Sequence, residues 1–408
     1  MDILLCCEHF YPSVGGVQKM MHEIGVRFIK NGHEVTVATS WRKDRISNTI
    51  NGIKIKPFRI KGNAVSKIKG DIRTYQEFLI NSKFDFLIVI AAQQWSFDAM
   101  LPILDDITYK KLHIPCGYSC FYNRKFKEYY KNMEKYLNKF DELIYNASNY
   151  RDINYAKSNN IKNINIIYPG ASESEFKKTK GASYRNYIEI KKGSFVFLTV
   201  GSPAFHKGHK EIIHSYLLSE LPFSSTLILN GNYTDVEVLS IKELILNPKK
   251  IFREILLRII GKSSYNIKQL AKKNNDKEKN IIFSDLSRKA LVDLYFDADL
   301  FLFASHIEYS PLVIFECLAS GLPFISIPVG NIEEIVDISN GGIVCEGEKT
   351  KDYRSYVDPE KLSLEISQLS KNKKLLIQLG ANGRKAWKNH FTWKIVAKKI
   401  EDLVTINH

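Results

Sequence analysis

Cysteine is scarce in this sequence, with 6 residues in a chain of 408. Two of the six, Cys6 and Cys7, are adjacent inside an apolar run that predicts a buried strand. A small disulfide-stapled protein would have a denser set of cysteines. We therefore expect no disulfide framework, and this cysteine usage is typical of a protein in a reducing cytoplasm.

Long hydrophobic runs are also missing. No uninterrupted apolar run approaches the roughly 18 residues that a transmembrane helix requires. The N-terminus, MDILLCCEHFYP, has no basic lead, and its apolar run is too short for a signal peptide. We expect a cytoplasmic chain that is at most peripheral at the inner face of a membrane.

Sequence patterns for metals and dinucleotide cofactors are likewise missing. No group of histidine, cysteine and aspartate residues has metal-ligand spacing, and Cys116 with Cys120 is too little for a zinc site. The first glycine-rich loop, residues 13–16, is not a G-x-G-x-x-G. The second strand ends without the carboxylate that a nicotinamide ribose needs. The sequence therefore predicts no metal and no cofactor.

Positive charge is what the sequence has in excess, with a net charge of +15 and a pI of about 9.3. This balance favours acidic partners such as nucleic acid, an anionic membrane surface or phosphorylated substrates. We expect no nucleic-acid partner, because no aromatic-basic platform accompanies the charge. Residues 249–262 form a basic amphipathic pattern, which indicates either a helix packed on the core or one lying on an anionic membrane.

Apolar strands alternate with amphipathic helices along the chain. The first predicted strand, residues 2–7, is followed by a loop, a helix over residues 17–30 and a second strand over residues 33–39. Such a βαβ unit predicts a parallel, doubly wound sheet. Further strands are predicted at residues 53–58, 84–91, 111–115, 143–146, 164–168, 194–200, 225–230, 280–284, 298–303, 323–327 and 342–345.

The α/β pattern begins again in the second half, which predicts two Rossmann-like domains facing a cleft. We place the N-terminal domain at residues 1–175 and a linker at residues 176–192. The second domain spans residues 193–390 with an insertion at 233–279, and a helix at 391–408 packs back across the junction. Ligands of such sheets bind at the carboxyl ends of the strands.

One stretch, residues 308–334 (EYSPLVIFECLASGLPFISIPVGNIEE), joins a carboxylate after an apolar strand to a helix start. Pro311 suits the first turn of a helix, because its missing N–H group is not needed there. The free N–H groups of that turn and the helix dipole make an anion site. Glu308 precedes this turn and Glu316 follows it, so the stretch predicts a clamp for a ligand with both phosphate and hydroxyl groups.

The spacing Glu308-x7-Glu316, followed by ASGLP and VG, resembles the donor-site signature of retaining glycosyltransferases of the group-one type. These form glycosyltransferase family four and have the GT-B fold. Other segments resemble the same family in the same order along the chain. They are HFYPSVGGVQ (9–18), DELI (141–144) with Ser148, INIIYPGASESEF (164–176) and FLTVGSPAFHKGHKEII (197–213).

The resemblance implies roles for individual residues. Glu316 would bind the ribose hydroxyls of the donor nucleotide, and Glu308 would contact the donor sugar beside the reacting centre. Lys207 would neutralise the departing diphosphate, and His113 would hydrogen-bond the donor sugar. Glu308, His113 and Lys207 are thus the expected catalytic residues. The other expected donor-binding residues are Gly15, Gly16, Ser202, Ser310, Pro311, Leu312 and Val313.

The sequence departs from the family pattern at Ser202, where an arginine usually follows the glycine of a Val-Gly pair. Stabilisation of the leaving group would then depend on Lys207 and the helix dipole, with His206 or Lys210 as helpers. Tyr168 and Pro169 also stand before Gly170 where Asn-Gly is usual, and we expect this to alter only a turn.

The function that the resemblance implies is a retaining, metal-independent transferase of the hexosyl type. It would move a sugar from a nucleotide diphosphate donor to a glycan or lipid-linked acceptor in bacterial surface polysaccharide biosynthesis. Two alternatives stay open. Ser202 motivates a catalytically degenerate GT-B protein that supports an active partner. A nucleotide-sugar epimerase of related architecture is disfavoured by the Glu-x7-Glu spacing.

Overall fold

The computed structural model describes residues 1–177, 183, 188, 190–233, 264–274 and 278–405. The chain divides into two compact units. The first contains Met1–Ser172, Tyr309–Leu312 and His390–His408, and the second contains Glu173–Glu308 and Val313–Asn389. Each unit has its own sheet and is described by itself.

The first unit is built on an eight-stranded sheet. Its strands are β1 (Asp2–Cys6), β2 (Glu34–Ser40), β3 (Thr49–Ile50), β4 (Ile53–Phe58), β7 (Phe86–Ile90), β8 (Lys110–Ile114), β9 (Glu142–Tyr145) and β10 (Ile164–Ile166), while β5 (Ile60–Lys61) and β6 (Lys69–Gly70) pair separately. The strand order is β10-β9-β8-β7-β1-β2-β4-β3. Neighbours are parallel except for β3 and β4.

Strand β1 lies in the middle of this sheet. Its Ile3 pairs with Val35 on one side and with Phe86 on the other. Every residue of β1 after Asp2 is buried, because helices cover both faces of a parallel sheet of this kind. This explains why the strand is a continuous apolar run rather than an alternating one.

Helices flank the first sheet. They are Gly16–Lys30, Ile72–Asn81, Trp95–Asp98, Lys127–Lys131, Met133–Leu137, Arg151–Ser158 and Trp393–Thr405, with 3₁₀ turns at Leu101–Ile103 and Arg124–Phe126. The helix predicted over residues 17–30 is confirmed. Its Gly25 lies so close to the sheet that a Cβ there would be 2.8 Å from Cδ1 of Ile53.

The last helix of the chain, Trp393–Thr405, shares the core of the first unit. Trp393 is fully buried, and Ile400 is 1% exposed in the same hydrophobic cluster as Ile24 of the first helix. A polar contact adds to this packing, since the side-chain amide of Asn31 donates to a carboxylate oxygen of Glu401 at 2.7 Å. The C-terminal helix is therefore a structural part of the N-terminal unit.

The second unit is built on a six-stranded sheet in the order β13-β12-β11-β14-β15-β16. All neighbouring strands in it are parallel. The strands are β11 (Phe195–Val200), β12 (Ser225–Asn230), β13 (Lys279–Ser284), β14 (Leu300–Phe303), β15 (Phe324–Ser326) and β16 (Gly342–Val344), while β17 (Glu348–Lys349) and β18 (Ser355–Tyr356) form a separate antiparallel pair. The predicted fold class, α/β with two Rossmann-like domains, is confirmed.

The described helices of the second unit follow its strands. They are His209–Leu218, Ser264–Asn274, Arg288–Asp297, Leu312–Ser320, Ile332–Ser339, Pro359–Lys371 and Lys373–His390, with a 3₁₀ turn at Phe205–Lys207. The end residues Leu312 and His390 are the two exceptions, because they belong to the first unit. Most of the predicted linker 176–192 and of the predicted insertion 233–279 lies outside the described residues, as does the whole amphipathic pattern 249–262. Within the described part of the chain, no helix is long and apolar enough to cross a membrane.

Each sheet reverses its strand order at one point. The reversal falls between β7 and β1 in the first unit and between β11 and β14 in the second. In open α/β sheets, ligands bind beyond the carboxyl ends of the strands at such a switch point. We therefore expect a ligand to bind at the loops that follow β1, β11 and β14.

We expect that Ile400→Ala will lower the free energy of unfolding of the first unit by about 2–5 kcal/mol, because it removes a buried side chain from a shared core. Urea unfolding can be followed by tryptophan fluorescence, since Trp41, Trp95 and Trp393 belong to this unit. The control is Lys399→Ala on the exposed side of the same helix, with an expected change within about 0.5 kcal/mol. Equal unfolding midpoints for the two variants would contradict this account.

Candidate functional site

The loops that follow β11 and β14 meet at the switch point of the second sheet. The first of them turns through Phe205–Lys207 and reaches Gly208 at φ +67°. A Cβ at Gly208 would lie 1.8 Å from the carbonyl oxygen of Ala304, so only glycine allows this approach. The Lys-Gly sequence thereby places Lys207 against the loop that follows β14.

Lys207 and Glu308 form an ion pair in this position. The lysine Nζ lies 2.6 Å from Oε1 of the glutamate, and the two side chains are 26% and 16% exposed. The hydroxyl of buried Ser305 donates to the same oxygen at 2.8 Å. Charge-assisted hydrogen bonds of this kind are strong and directional. Two of the predicted catalytic residues are thus in contact.

Glu316 occupies the inner side of the helix Leu312–Ser320 and is only 5% exposed. Its Oε1 accepts a hydrogen bond of 2.7 Å from Nη2 of Arg288, and the same nitrogen lies 2.7 Å from Oε2 of Glu175. Burial lowers the pKa of the Arg288 guanidinium, but the carboxylates of Glu316 and Glu175 raise it by more. The net effect is a pKa above the usual value for arginine. The predicted ribose ligand is therefore a carboxylate held by an arginine.

The remaining predicted positions after β11 supply less charge. Ser202, where the family pattern has arginine, is exposed in the loop. Partial burial and the neighbouring Lys207 lower the pKa of His206, which disfavours a positive charge on its imidazole. Lys210 is exposed on the following helix. Lys207 is thus the cation that pairs with the Glu308 carboxylate.

The glycine loop of the first unit ends at the start of its first helix. Gly15 is extended, with φ 176°, and Gly16 begins the helix. A Cβ added at Gly15 would lie 2.6 Å from Oε1 of Gln18, so the loop is tight. A Cβ added at Gly16 would lie 3.9 Å from Cδ1 of Leu312, which shows that these two predicted residues are close neighbours in the first unit.

Residues 309–312 belong to the first unit, and Ser310 and Pro311 lie within this segment, whereas Val313 belongs to the second unit. Tyr309 anchors the segment, because its hydroxyl accepts from the backbone N–H of Asn146 at 2.8 Å. Asp152 lies in the same region, and burial raises its pKa to about 6, against the opposing effect of a hydrogen bond from Tyr309.

His113, the third predicted catalytic residue, lies on β8 of the first unit. Its side chain is fully buried on β8, stacked on Phe97 with ring centroids 4.2 Å apart and close to Phe140. Nδ1 donates to the carbonyl oxygen of Val89 at 3.0 Å. Burial lowers the pKa of His113 to about 3. Among the residues that the structure describes, Nε2 of His113 is buried and has no hydrogen-bond partner. The expected hydrogen bond from His113 to a donor sugar stays a prediction.

Asp297 and Asp299 have the Asp-x-Asp spacing that can bind a metal ion. They lie at the amino end of β14, the opposite end of the strand from Lys207 and Glu308. Oδ2 of Asp299 accepts from the backbone N–H of Val196 at 2.8 Å, and Oδ2 of Asp297 accepts from the hydroxyl of Ser183 at 2.7 Å. Among the residues that the structure describes, no group of three or more His, Cys, Asp or Glu side chains could hold a metal ion.

The sequence reading missed Arg288 and Glu175, which surround the Glu316 carboxylate. A signal for Arg288 did exist. Ser287 caps the helix Arg288–Asp297 with a hydrogen bond from Ala290, so the arginine sits in the first helical turn. The helix dipole disfavours a cation there, and a carboxylate partner offsets this effect.

We predict that His113 makes the first unit sensitive to acid. Its pKa is about 3 when folded and about 6.5 when unfolded, so the unfolded chain binds the proton and stability falls as pH drops below 6.5. Between pH 7.5 and 5.0 the wild type should lose about 2 kcal/mol more than His113→Gln in urea unfolding. Exposed His390→Gln is the control, and it should follow the wild type. Equal pH dependence of His113→Gln and the wild type would show that the imidazole is not buried neutral.

The chain matches the family described as glycosyl transferases group 1 over residues 182–386. No curated protein sequence matches it. Solved structures do resemble it. Sucrose-phosphate synthase from Thermosynechococcus elongatus is 15% identical with a TM-score of 0.72, and 98% of each chain is covered.

Two further structures are similar over the whole chain. Anabaena Alr3699/HepE in complex with UDP is 12% identical, covers 100% of both chains and has a TM-score of 0.69. WaaG, a glycosyltransferase involved in lipopolysaccharide biosynthesis, is 16% identical, covers 99% of both chains and has a TM-score of 0.66. At these identities the likeness shows the fold, which is GT-B. The family match extends over half of the sequence, and the chain therefore belongs to the group 1 glycosyl transferases.

Proposed function

We propose that this chain is a retaining glycosyltransferase that moves a hexose from a nucleoside diphosphate donor to a hydroxyl group of a glycan or a lipid-linked acceptor. The observation that carries the proposal is the contact of 2.6 Å between Lys207 and Glu308 at the switch point of the second sheet. A cation beside a carboxylate there fits a ligand with a diphosphate on one side and sugar hydroxyls on the other.

In the proposed reaction, Lys207 stabilises the negative charge that develops on the departing diphosphate. A fixed charge aimed at a developing charge is commonly the largest contribution to such catalysis. Glu308 accepts hydrogen bonds from the donor sugar, and the hydroxyl of Ser305 holds this carboxylate in place. The pairing of Lys207 with Glu308 orients both groups before a donor arrives, which reduces the cost of ordering them.

The proposed donor is a nucleoside diphosphate sugar because Glu316 offers a buried carboxylate on the same unit. A carboxylate accepts several hydrogen bonds at once and so suits the two hydroxyl groups of a ribose. Anabaena Alr3699/HepE has solved structures in complex with UDP, with UDP and glucose, and with UDP-glucose. The family relationship supports a donor of the same chemical class for this chain.

We propose that the transfer needs no metal ion, because Lys207 supplies positive charge next to the Glu308 carboxylate. The proposed setting is the assembly of a bacterial surface polysaccharide. This is supported by the fold shared with WaaG, a glycosyltransferase involved in lipopolysaccharide biosynthesis. The acceptor would then be a growing glycan or a lipid-linked sugar.

A second candidate function is a non-catalytic GT-B protein that binds a nucleotide and supports an active partner. Ser202 favours it, because one of the two cations of the family pattern is missing, and the lowered pKa of His206 disfavours a replacement charge there. The two candidates differ in turnover. Binding of a nucleoside diphosphate without its release from any donor sugar would favour the second.

The test is release of nucleoside diphosphate from UDP-, ADP- and GDP-sugars by the purified full chain. With the donor that the wild type uses, Lys207→Met should lower kcat by about 10²–10³-fold, because the developing diphosphate charge loses its cation. The KM for the donor should change less, since the effect falls mainly on the transition state.

The matched control is Lys361→Met, which removes an exposed lysine paired with Glu346 in the same unit and should leave kcat unchanged. Turnover of the wild type should also be the same with EDTA and with added Mg²⁺ or Mn²⁺. Unchanged kcat in Lys207→Met would reject its catalytic role, and a wild type that neither binds nor cleaves any donor would reject the proposed function.

We also propose that the protein works at an anionic membrane surface, which its net charge of +15 supports. In vesicle flotation, the bound fraction should rise with the content of anionic lipid and fall as salt is added, because the attraction is electrostatic. Zwitterionic vesicles are the control. The proposal would be contradicted if no vesicle binding were detected, or if the bound fraction did not change with lipid charge or salt concentration.

A further inference from the structure

Two carboxylates and one guanidinium group, from separate segments of the second unit, are in contact. Arg288 begins the helix that follows β13, Glu175 precedes β11, and Glu316 lies on the helix after β14. Nη2 of Arg288 lies 2.7 Å from Oε1 of Glu316 and 2.7 Å from Oε2 of Glu175. Nε of Arg288 also donates to Oε1 of Glu175 at 3.2 Å. One arginine therefore connects two carboxylates.

The two carboxylates hold Arg288 in different ways. Glu175 accepts from both Nε and Nη2, which is the side-on, two-bond arrangement that fixes the plane of a guanidinium. Glu316 accepts one bond from the end of the same group. The ring of Phe176 lies 5.6 Å from the guanidinium carbon and limits its movement further. Arg288 is thus a rigid donor, and Glu316 is the side chain that it orients.

Helix formation does not account for an arginine at this position. The positive charge lies in the first turn of Arg288–Asp297, where the helix dipole disfavours it. The side chain of Glu316 is only 6% exposed, and a carboxylate buried to this extent needs a partner to remain charged. The arginine supplies this partner, and Glu175 offsets the unfavourable position of the arginine.

We infer that Arg288 is a positioning residue, which orients the Glu316 carboxylate so that it recognises the ribose of a nucleoside diphosphate. The inference rests on the proposed function, and it adds the source of the selectivity for ribose. An ionised carboxylate has about four lone-pair directions. The bond from Arg288 occupies one of them on Oε1 and sets the direction of the others. The 2′-hydroxyl of a ribose can donate a hydrogen bond to this fixed carboxylate. A 2′-deoxyribose lacks that hydroxyl and cannot.

Calorimetry tests the role of Arg288 in two steps. UDP, ADP and GDP are titrated first to find the nucleoside diphosphate that the wild type binds best. The 2′-deoxy form of that nucleotide is then titrated for comparison. The wild type should bind the ribose form about 10–100-fold more tightly than the 2′-deoxy form, as expected for a hydrogen bond to a charged group. Arg288→Gln should reduce this ratio to about threefold or less. Glu316→Ala gives the ratio that remains without the carboxylate.

Arg288→Met is a second variant, which removes the charge and the hydrogen-bond donors but retains an unbranched apolar side chain. Arg73→Gln is the control, because Arg73 is an exposed arginine of the first unit that pairs only along its own helix with Glu77. It should keep the wild-type ratio. Thermal melts identify the variants that are folded.

The ratio of the two dissociation constants separates positioning from stability, because general destabilisation weakens binding of both nucleotides equally. A ratio within twofold of the wild type in a folded Arg288→Gln or Arg288→Met variant would overturn the inference while the proposed function stands. A wild type that binds no nucleoside diphosphate would instead reject the proposed function itself.

Discussion

Parallel neighbours β11 and β14 end at the same edge of the second sheet, and the chemistry of the candidate site depends on this constraint. Lys207 and Glu308 are 101 residues apart in sequence, yet their charged atoms lie 2.6 Å from each other. Gly208 makes this possible, because any side chain there would collide with the carbonyl oxygen of Ala304. The ion pair is therefore a product of sheet topology and of one glycine.

A buried carboxylate imposes a second constraint. Removing a carboxylate from water costs several kcal/mol unless a partner compensates for it. Arg288 is the charged partner of Glu316, and Glu175 is a second charged partner of Arg288. The result is a chain of charged groups in fixed directions, on the same unit as the Lys207–Glu308 pair. Such fixed charges suit a reaction in which positioning and charge stabilisation do most of the catalytic work.

The sequence predicted the strands well because each strand of a buried parallel sheet is a short, continuous apolar run. The runs at β1, β11 and β14 are examples, and each was found close to its observed bounds. The spacing of Glu308 and Glu316 places one carboxylate in the loop before the helix Leu312–Ser320 and the other within that helix. The burial of His113 could not be predicted, because a histidine between apolar residues has the same local pattern in a core as at a surface. Its neighbours Phe97 and Phe140 and the carbonyl of Val89 come from other segments of the chain.

The sequence by itself determined the α/β class, the two-domain organisation, the family and the charged residues that follow the strands of the second sheet. These features are local, because they depend on runs and spacings of neighbouring residues. Only the tertiary structure decided which charges pair. Arg288 meets Glu316 across 28 residues and Glu175 across 113, and the buried His113 packs against Phe97 and Phe140. The physical reason is that burial and ion pairing are set by the packing of segments far apart in the chain, and spacing along the sequence carries no record of that packing.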